Sequence, residues 1–282
     1  MNAHGRHLKL ATLVPALAMI VACSGYDSPT YPGTTTPPPP KQVLLKDIVI
    51  DRLPSPYYHF DYDAAGRITH ASFASGTDDF SVSYTGERIK ELTNSGGIGQ
   101  RDRVVYAYDA AGRVGGVRYV DLNGLTFTTV VYTYDGDKLT GVERSQRVDG
   151  AMIIDKTITL TYYQDGNLES LTEHRLPIAG IQDDATSVTR FEEYDSGINV
   201  DGFSLIHNDF FDHLVLLPGV VLQKSNPKRE TRTGDGLTYS VDYTYDYGPD
   251  GKHPVTKRGD LVITGGGTVG MHVPTSSVFT YY

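Results

Sequence analysis

Tryptophan is missing from this 282-residue chain and cysteine occurs once, at position 23. One cysteine excludes an internal disulfide. The lack of tryptophan weakens any reading in which an aromatic surface stacks on sugar rings. Positive charge is also in short supply, with 25 Lys and Arg against 34 Asp and Glu and a net charge of −9. That balance argues against nucleic acid as a partner, because phosphate binding draws on clustered cations. Long apolar runs are absent too. The longest, Leu10 to Ala22, falls short of the ~20 residues that a helix needs to cross a bilayer.

Catalytic and metal motifs are equally scarce. There is no Gly-x-Ser-x-Gly elbow, no His-Glu-x-x-His pair and no full calcium-loop spacing. Gly265-Gly266-Gly267 lacks the Lys-Ser/Thr that a phosphate loop requires and reads as a strand-linking turn. Asp209 and His213 stand four apart, with His207 and Asp212 nearby; helix capping and a solvated edge account for them better than a metal does. Acidic pairs such as Asp135/Asp137 are what turns contain. No cofactor, no metal and no enzymatic activity are therefore expected. Paired carboxylates of a glycan hydrolase stay open, since their separation belongs to the fold.

What is present is 30 glycines, 20 tyrosines and 39% hydrophobic residues, the composition of short strands joined by tight turns. Phe60-Asp61-Tyr62-Asp63-Ala64-Ala65-Gly66-Arg67-Ile68 returns as Tyr106-Ala107-Tyr108-Asp109-Ala110-Ala111-Gly112-Arg113-Val114. Asp opens a type I turn and Gly supplies the positive φ that follows it, so both copies predict the tip of a bulged β-hairpin. Asp135-Gly136 and Asp165-Gly166 predict further tips. Aromatic residues mark seven such units, at Tyr62, Tyr84, Tyr108, Tyr134, Tyr163, Tyr194 and Tyr245. Steps of 22 to 31 residues hold one hairpin each, and the last step, of 51, needs an insertion.

Ser204 to Pro218 supplies that insertion. Ile206, Phe210 and Leu214 recur every four residues, and Pro218-Gly219 stops the run, which predicts one short buried helix near 205–217. The expected fold is all-β: an antiparallel meander of hairpins in a large curled or barrel-like sheet around that helix. The tyrosine stripes Tyr132/Tyr134 and Tyr243/Tyr245 read as sheet packing.

The first 42 residues form two further segments. Residues 1–22 carry Arg6 and Lys9 and then the apolar run, and read as a signal peptide. Ile20-Val21-Ala22-Cys23 resembles the lipobox of bacterial lipoproteins, which implies lipidation of Cys23; a secretory signal with a spare cysteine is the alternative. Lipidation would leave no thiol for nucleophilic or metal chemistry. Cleavage removes two cations, taking the charge from −9 to −11. Residues 23–42, rich in Pro and Thr, read as a disordered tether to a single β domain over 43–282.

The Tyr-Asp-x-x-Gly-Arg-aliphatic unit at 62–68 and 108–114 resembles the YD (Rhs-type) repeat. With the lipobox, the tether and Lys224-Ser225-Asn226-Pro227, the chain resembles a family of secreted Bacteroidetes lipoproteins of unknown function. The resemblance implies an outer-membrane lipoprotein of the bacterial envelope, facing the periplasm or the surface. The expected role is a non-catalytic binding or scaffold module, with a glycan or another envelope protein as candidate partner. An envelope glycan hydrolase and a porin-like outer-membrane barrel are the alternatives, the latter suggested by alternating strands such as Ser277 to Tyr282.

Overall fold

A computed structural model describes residues 43–96, 102–207 and 215–282. Cys23 and the segments expected to be a signal peptide and a tether lie outside the described residues. Sixteen strands are present among them. The first eight are β1 (Leu45–Ile50), β2 (Tyr58–Tyr62), β3 (Ile68–Phe73), β4 (Asp78–Thr85), β5 (Arg88–Asn94), β6 (Arg103–Tyr108), β7 (Val114–Val120) and β8 (Thr126–Asp135). The rest are β9 (Lys138–Val148), β10 (Ala151–Tyr162), β11 (Leu168–Arg175), β12 (Ala185–Glu192), β13 (Arg229–Gly234), β14 (Thr238–Tyr247), β15 (Pro254–Gly265) and β16 (His272–Tyr281).

Each strand pairs antiparallel with its sequence neighbours, and β1 closes the barrel by pairing with both β2 and β16. Closure removes the two open edges that a curled sheet would leave.

The hairpin tips follow from their residues. At Asp63 the carbonyl accepts from Gly66 N–H at 2.9 Å, and the carboxylate accepts from the N–H groups of Ala65 and Arg67. Gly66 has φ of 78°, a region that costs an L side chain energy. Asp109 and Gly112 repeat this arrangement. The other two tips differ. Gly136 and Asp137 form a two-residue loop after Asp135, the last residue of β8. At Gly166 the accepting carbonyl is that of Tyr163, while Asp165 orders Asn167.

Alternation sorts the wall into two faces. Inward positions such as Phe60, Ala71, Phe80, Leu92, Val104, Val117, Leu160 and Phe191 are buried in one apolar core. Outward positions include Glu143, Arg190, Glu192, Arg229, Asp242, Arg258 and Asp260, all exposed, interleaved with Thr159, Thr161 and Thr244.

Described residues of the connection from β12 to β13 pack into the lumen. Phe203 meets the rings of Tyr58 and Phe60 edge to face, and Leu216 N–H donates to the Tyr106 hydroxyl at 3.0 Å. The helix expected near 205–217 is corrected where this segment is described: Gly202–Ile206 is a 3-10 turn, and 215–217 has no helical structure. Residues 208–214 lie outside the described residues. The physical reason is that a segment surrounded by an apolar wall buries side chains on every side, so apolar spacing there does not select an α-helix. After it, Lys224-Ser225-Asn226-Pro227 is clamped by the buried Asn167, whose side-chain oxygen accepts from the N–H groups of Lys224 and Ser225.

Candidate functional site

One end of the barrel carries a belt of tyrosines. Tyr62, Tyr84, Tyr108, Tyr134, Tyr162, Tyr194, Tyr245 and Tyr281 each donate a hydroxyl proton to a backbone carbonyl of an earlier segment, at 2.6–2.9 Å. Burial drives their hydroxyl pKa values up, to about 12 for Tyr62 and Tyr162. At four of the tips the cation after the turn stacks on the tyrosine of the next hairpin: Arg67 over Tyr84, Arg88 over Tyr108, Arg113 over Tyr134 and Lys138 over Tyr162. Arg67 is also paired with Asp63 at 2.7 Å and donates to Gly86 O at 3.2 Å. The repeated Asp, Gly and Arg thus link neighbouring hairpins side by side.

Inside this belt lies a cavity of about 560 Å³. Its wall is formed by Leu45, Phe60, Ile68 and Ile89 from the barrel and by Val200, Phe203 and Leu217 from the lumenal connection. Arg67, Glu87 and His253 supply the polar groups. His253 is held by the Asp250 carboxylate, whose pKa is driven well below the usual range by that hydrogen bond and by two backbone N–H groups. The volume lies in the range of small-molecule sites, and an apolar lining with a few polar groups at one end is their usual make-up.

A second polar group sits deeper in the wall. Arg144 and Asp155 form an ion pair that is almost fully buried, on a bulge of β10. Gln182 donates to the Asp155 carbonyl at 2.8 Å.

The predicted turn residues Asp63, Gly66, Asp109, Gly112, Asp135, Gly136, Asp165 and Gly166 all fall at hairpin tips of this end, away from one another around the rim. Both predicted tyrosine stripes, Tyr132/Tyr134 and Tyr243/Tyr245, face inward. Of the residues weighed for a metal, His207 bonds the Tyr58 hydroxyl at 3.0 Å; Asp209, Asp212 and His213 lie outside the described residues. The cavity residues were not legible, because they come from both ends of the chain and from its middle.

No family model and no curated protein matches the chain. Two solved structures share the fold. A porin-like protein from Bacteroides uniformis ATCC 8492 aligns with a TM-score of 0.54 at 16% identity, over 80% of this chain and 89% of that one. A porin-like protein from Bacteroides vulgatus ATCC 8482 aligns with 0.55 at 16% identity, over 85% and 99%. These likenesses correct the resemblance to the YD-repeat lipoproteins: the relatives in fold are porin-like barrels. The motif misled because a bulged hairpin turn requires Asp and Gly at those positions in any sheet of this kind.

Proposed function

We propose that this chain is an envelope binding protein whose barrel faces water on its outer wall and receives a small apolar or amphipathic molecule in the end cavity. The cavity of about 560 Å³ carries the reading. In this proposal Cys23 is lipidated and holds the barrel at the outer membrane, on the periplasmic or the surface side, and no chemistry is performed on the ligand. The inward orientation of the tyrosine stripes favours an apolar guest over a glycan stacked on an exposed aromatic face.

The side-chain distribution supports a barrel beside the membrane. Membrane-spanning barrels present an apolar band to lipid and a polar lumen, and Arg or Lys in that band costs ~2–4 kcal/mol each at the midplane. Here the lumenal face is mostly apolar, with the buried Arg144–Asp155 pair as an exception, and the outer face carries Arg190, Arg229 and Arg258 among threonines, acids and apolar residues such as Val131 and Val278. The second reading, a porin-like barrel that spans the outer membrane, is favoured by the fold shared with the two porin-like proteins.

Two measurements separate these readings. The full chain with Cys23→Ser is expected in the soluble fraction without detergent; retention in the membrane would favour the spanning barrel. A dansyl-labelled medium-chain fatty acid is expected to bind that soluble chain and to be excluded by Val200→Trp, which fills the cavity. Equal binding by both would place the ligand elsewhere.

A further inference from the structure

The outer wall beside the barrel seam holds a second constellation, separate from the cavity. His59 and Asp61 are alternate outward residues of β2, and His70 on β3 stands directly opposite Asp61. One ligand atom from each of the three lies within 4.8 Å of the others. His59 Nε2 is 3.4 Å from one Asp61 oxygen, and His70 Nδ1 is 3.4 Å from the other.

The far side of each imidazole settles which nitrogen carries a proton. His59 Nδ1 is 2.6 Å from the Asp47 carboxylate, and His70 Nε2 bonds the Asp79 carboxylate. A carboxylate only accepts, so both of those nitrogens donate. In the neutral rings, His59 Nε2 and His70 Nδ1 are then lone pairs aimed at a third carboxylate, Asp61, which has only lone pairs to offer. His70 Nδ1 is buried and has no hydrogen-bond partner. Acceptors facing acceptors need a cation between them: either a second proton on each ring or a metal ion.

We infer that His59, Asp61 and His70 bind a divalent transition-metal ion of the zinc class on the outer wall of the barrel. Bonds of ~2.0–2.1 Å in a tetrahedron place ligand atoms about 3.3–3.4 Å apart; each imidazole nitrogen stands 3.4 Å from an Asp61 oxygen, the two from different oxygens, and one ligand atom of each residue lies within 4.8 Å of the others. Two imidazoles select against calcium and magnesium, which prefer oxygen. Metal-bound histidines characteristically give their other N–H to a carboxylate, the role of Asp47 and Asp79 here. Tyr282 donates to Asp61 at 2.8 Å and Thr280 to Asp47 at 2.8 Å. These contacts tie the site to the strand that closes the barrel. Three protein ligands leave a fourth position for water or for a donor from another molecule.

Titration of the full chain with zinc, and with cobalt as a spectroscopic substitute, tests this inference. One ion per chain and the visible absorption of four-coordinate cobalt are expected. His70→Gln should abolish the signal, and Asp47→Asn should weaken affinity about 10- to 100-fold. X-ray absorption at the zinc edge should show two imidazoles and a carboxylate, a readout that needs no variant. Failure of the folded chain to bind either ion would overturn the inference in favour of two imidazolium rings. So would binding unchanged by His70→Gln, or an absorption edge without imidazole.

Discussion

The guanidinium of Arg113 lies 4.5 Å from the ring centre of Tyr134, and the hydroxyl of that tyrosine donates to the carbonyl of Val114, the residue after Arg113. Two neighbouring hairpins are thus tied twice, once through the ring face and once through its hydroxyl. Tyr134→Phe should lower stability by about 1 kcal/mol, since it leaves one carbonyl without its donor. Arg113→Ala should cost a similar ~1 kcal/mol through the lost ring contact. Urea denaturation, comparing midpoints at constant slope, checks both.

Gly66 occupies left-handed backbone at φ 78°. Gly66→Ala should cost ~1–2 kcal/mol, the strain of a Cβ in that conformation. Gly248→Ala is the comparison: its added methyl would meet neighbours only at ordinary contact distance and its φ is not in that region. A smaller loss is expected there by thermal unfolding.

Asp155 pairs with Arg144, and both side chains are almost fully buried. Asp155→Ala should destabilise the barrel by ~3–5 kcal/mol, because it takes one carboxylate away from a buried guanidinium. A loss below 1 kcal/mol in urea titration would show that water reaches the site.

The tyrosine belt sets the alkaline limit. Tyr62 and Tyr162 hold their protons to about pH 12 in the folded chain, through burial, against 10.0 for the ordinary side chain. The folded state therefore binds more protons than the unfolded state above pH 10. Their contribution to stability is complete below pH 10 and is lost as pH rises towards 12. Tyrosinate absorbance should appear together with unfolding in that window. Ionisation of these residues at pH 10 in a folded barrel would contradict the burial.

The repeat was readable because turn chemistry is local. Asp63 and Gly66 take their places from a few residues of chain, and the tyrosines take theirs from alternation with period two. That reading slipped by one residue at 163. The belt uses Tyr162, whose hydroxyl reaches Leu139, while Tyr163 reaches Phe191. Unbroken alternation with Ile158 and Leu160 turns Tyr162 inward, and Tyr163 takes the turn position that Asp63 holds in the first copy. The described parts of the lumenal segment are not α-helical for the opposite reason, since their surroundings are long-range: Phe203 answers to Tyr58 and Phe60, more than 140 positions away.

By itself, the sequence determined that the chain is a series of tyrosine-marked hairpins and that a single cysteine leaves no disulfide. It also determined that one insertion between the last two repeats has to be buried. Only the tertiary structure decided that the sheet closes, which face is the lumen, and where the cavity opens. Closure depends on strand number and stagger taken together, and no single hairpin records either. The same holds for His59, Asp61 and His70. Their spacing along the chain means nothing until the register of β2 against β3 places two imidazoles on either side of one carboxylate.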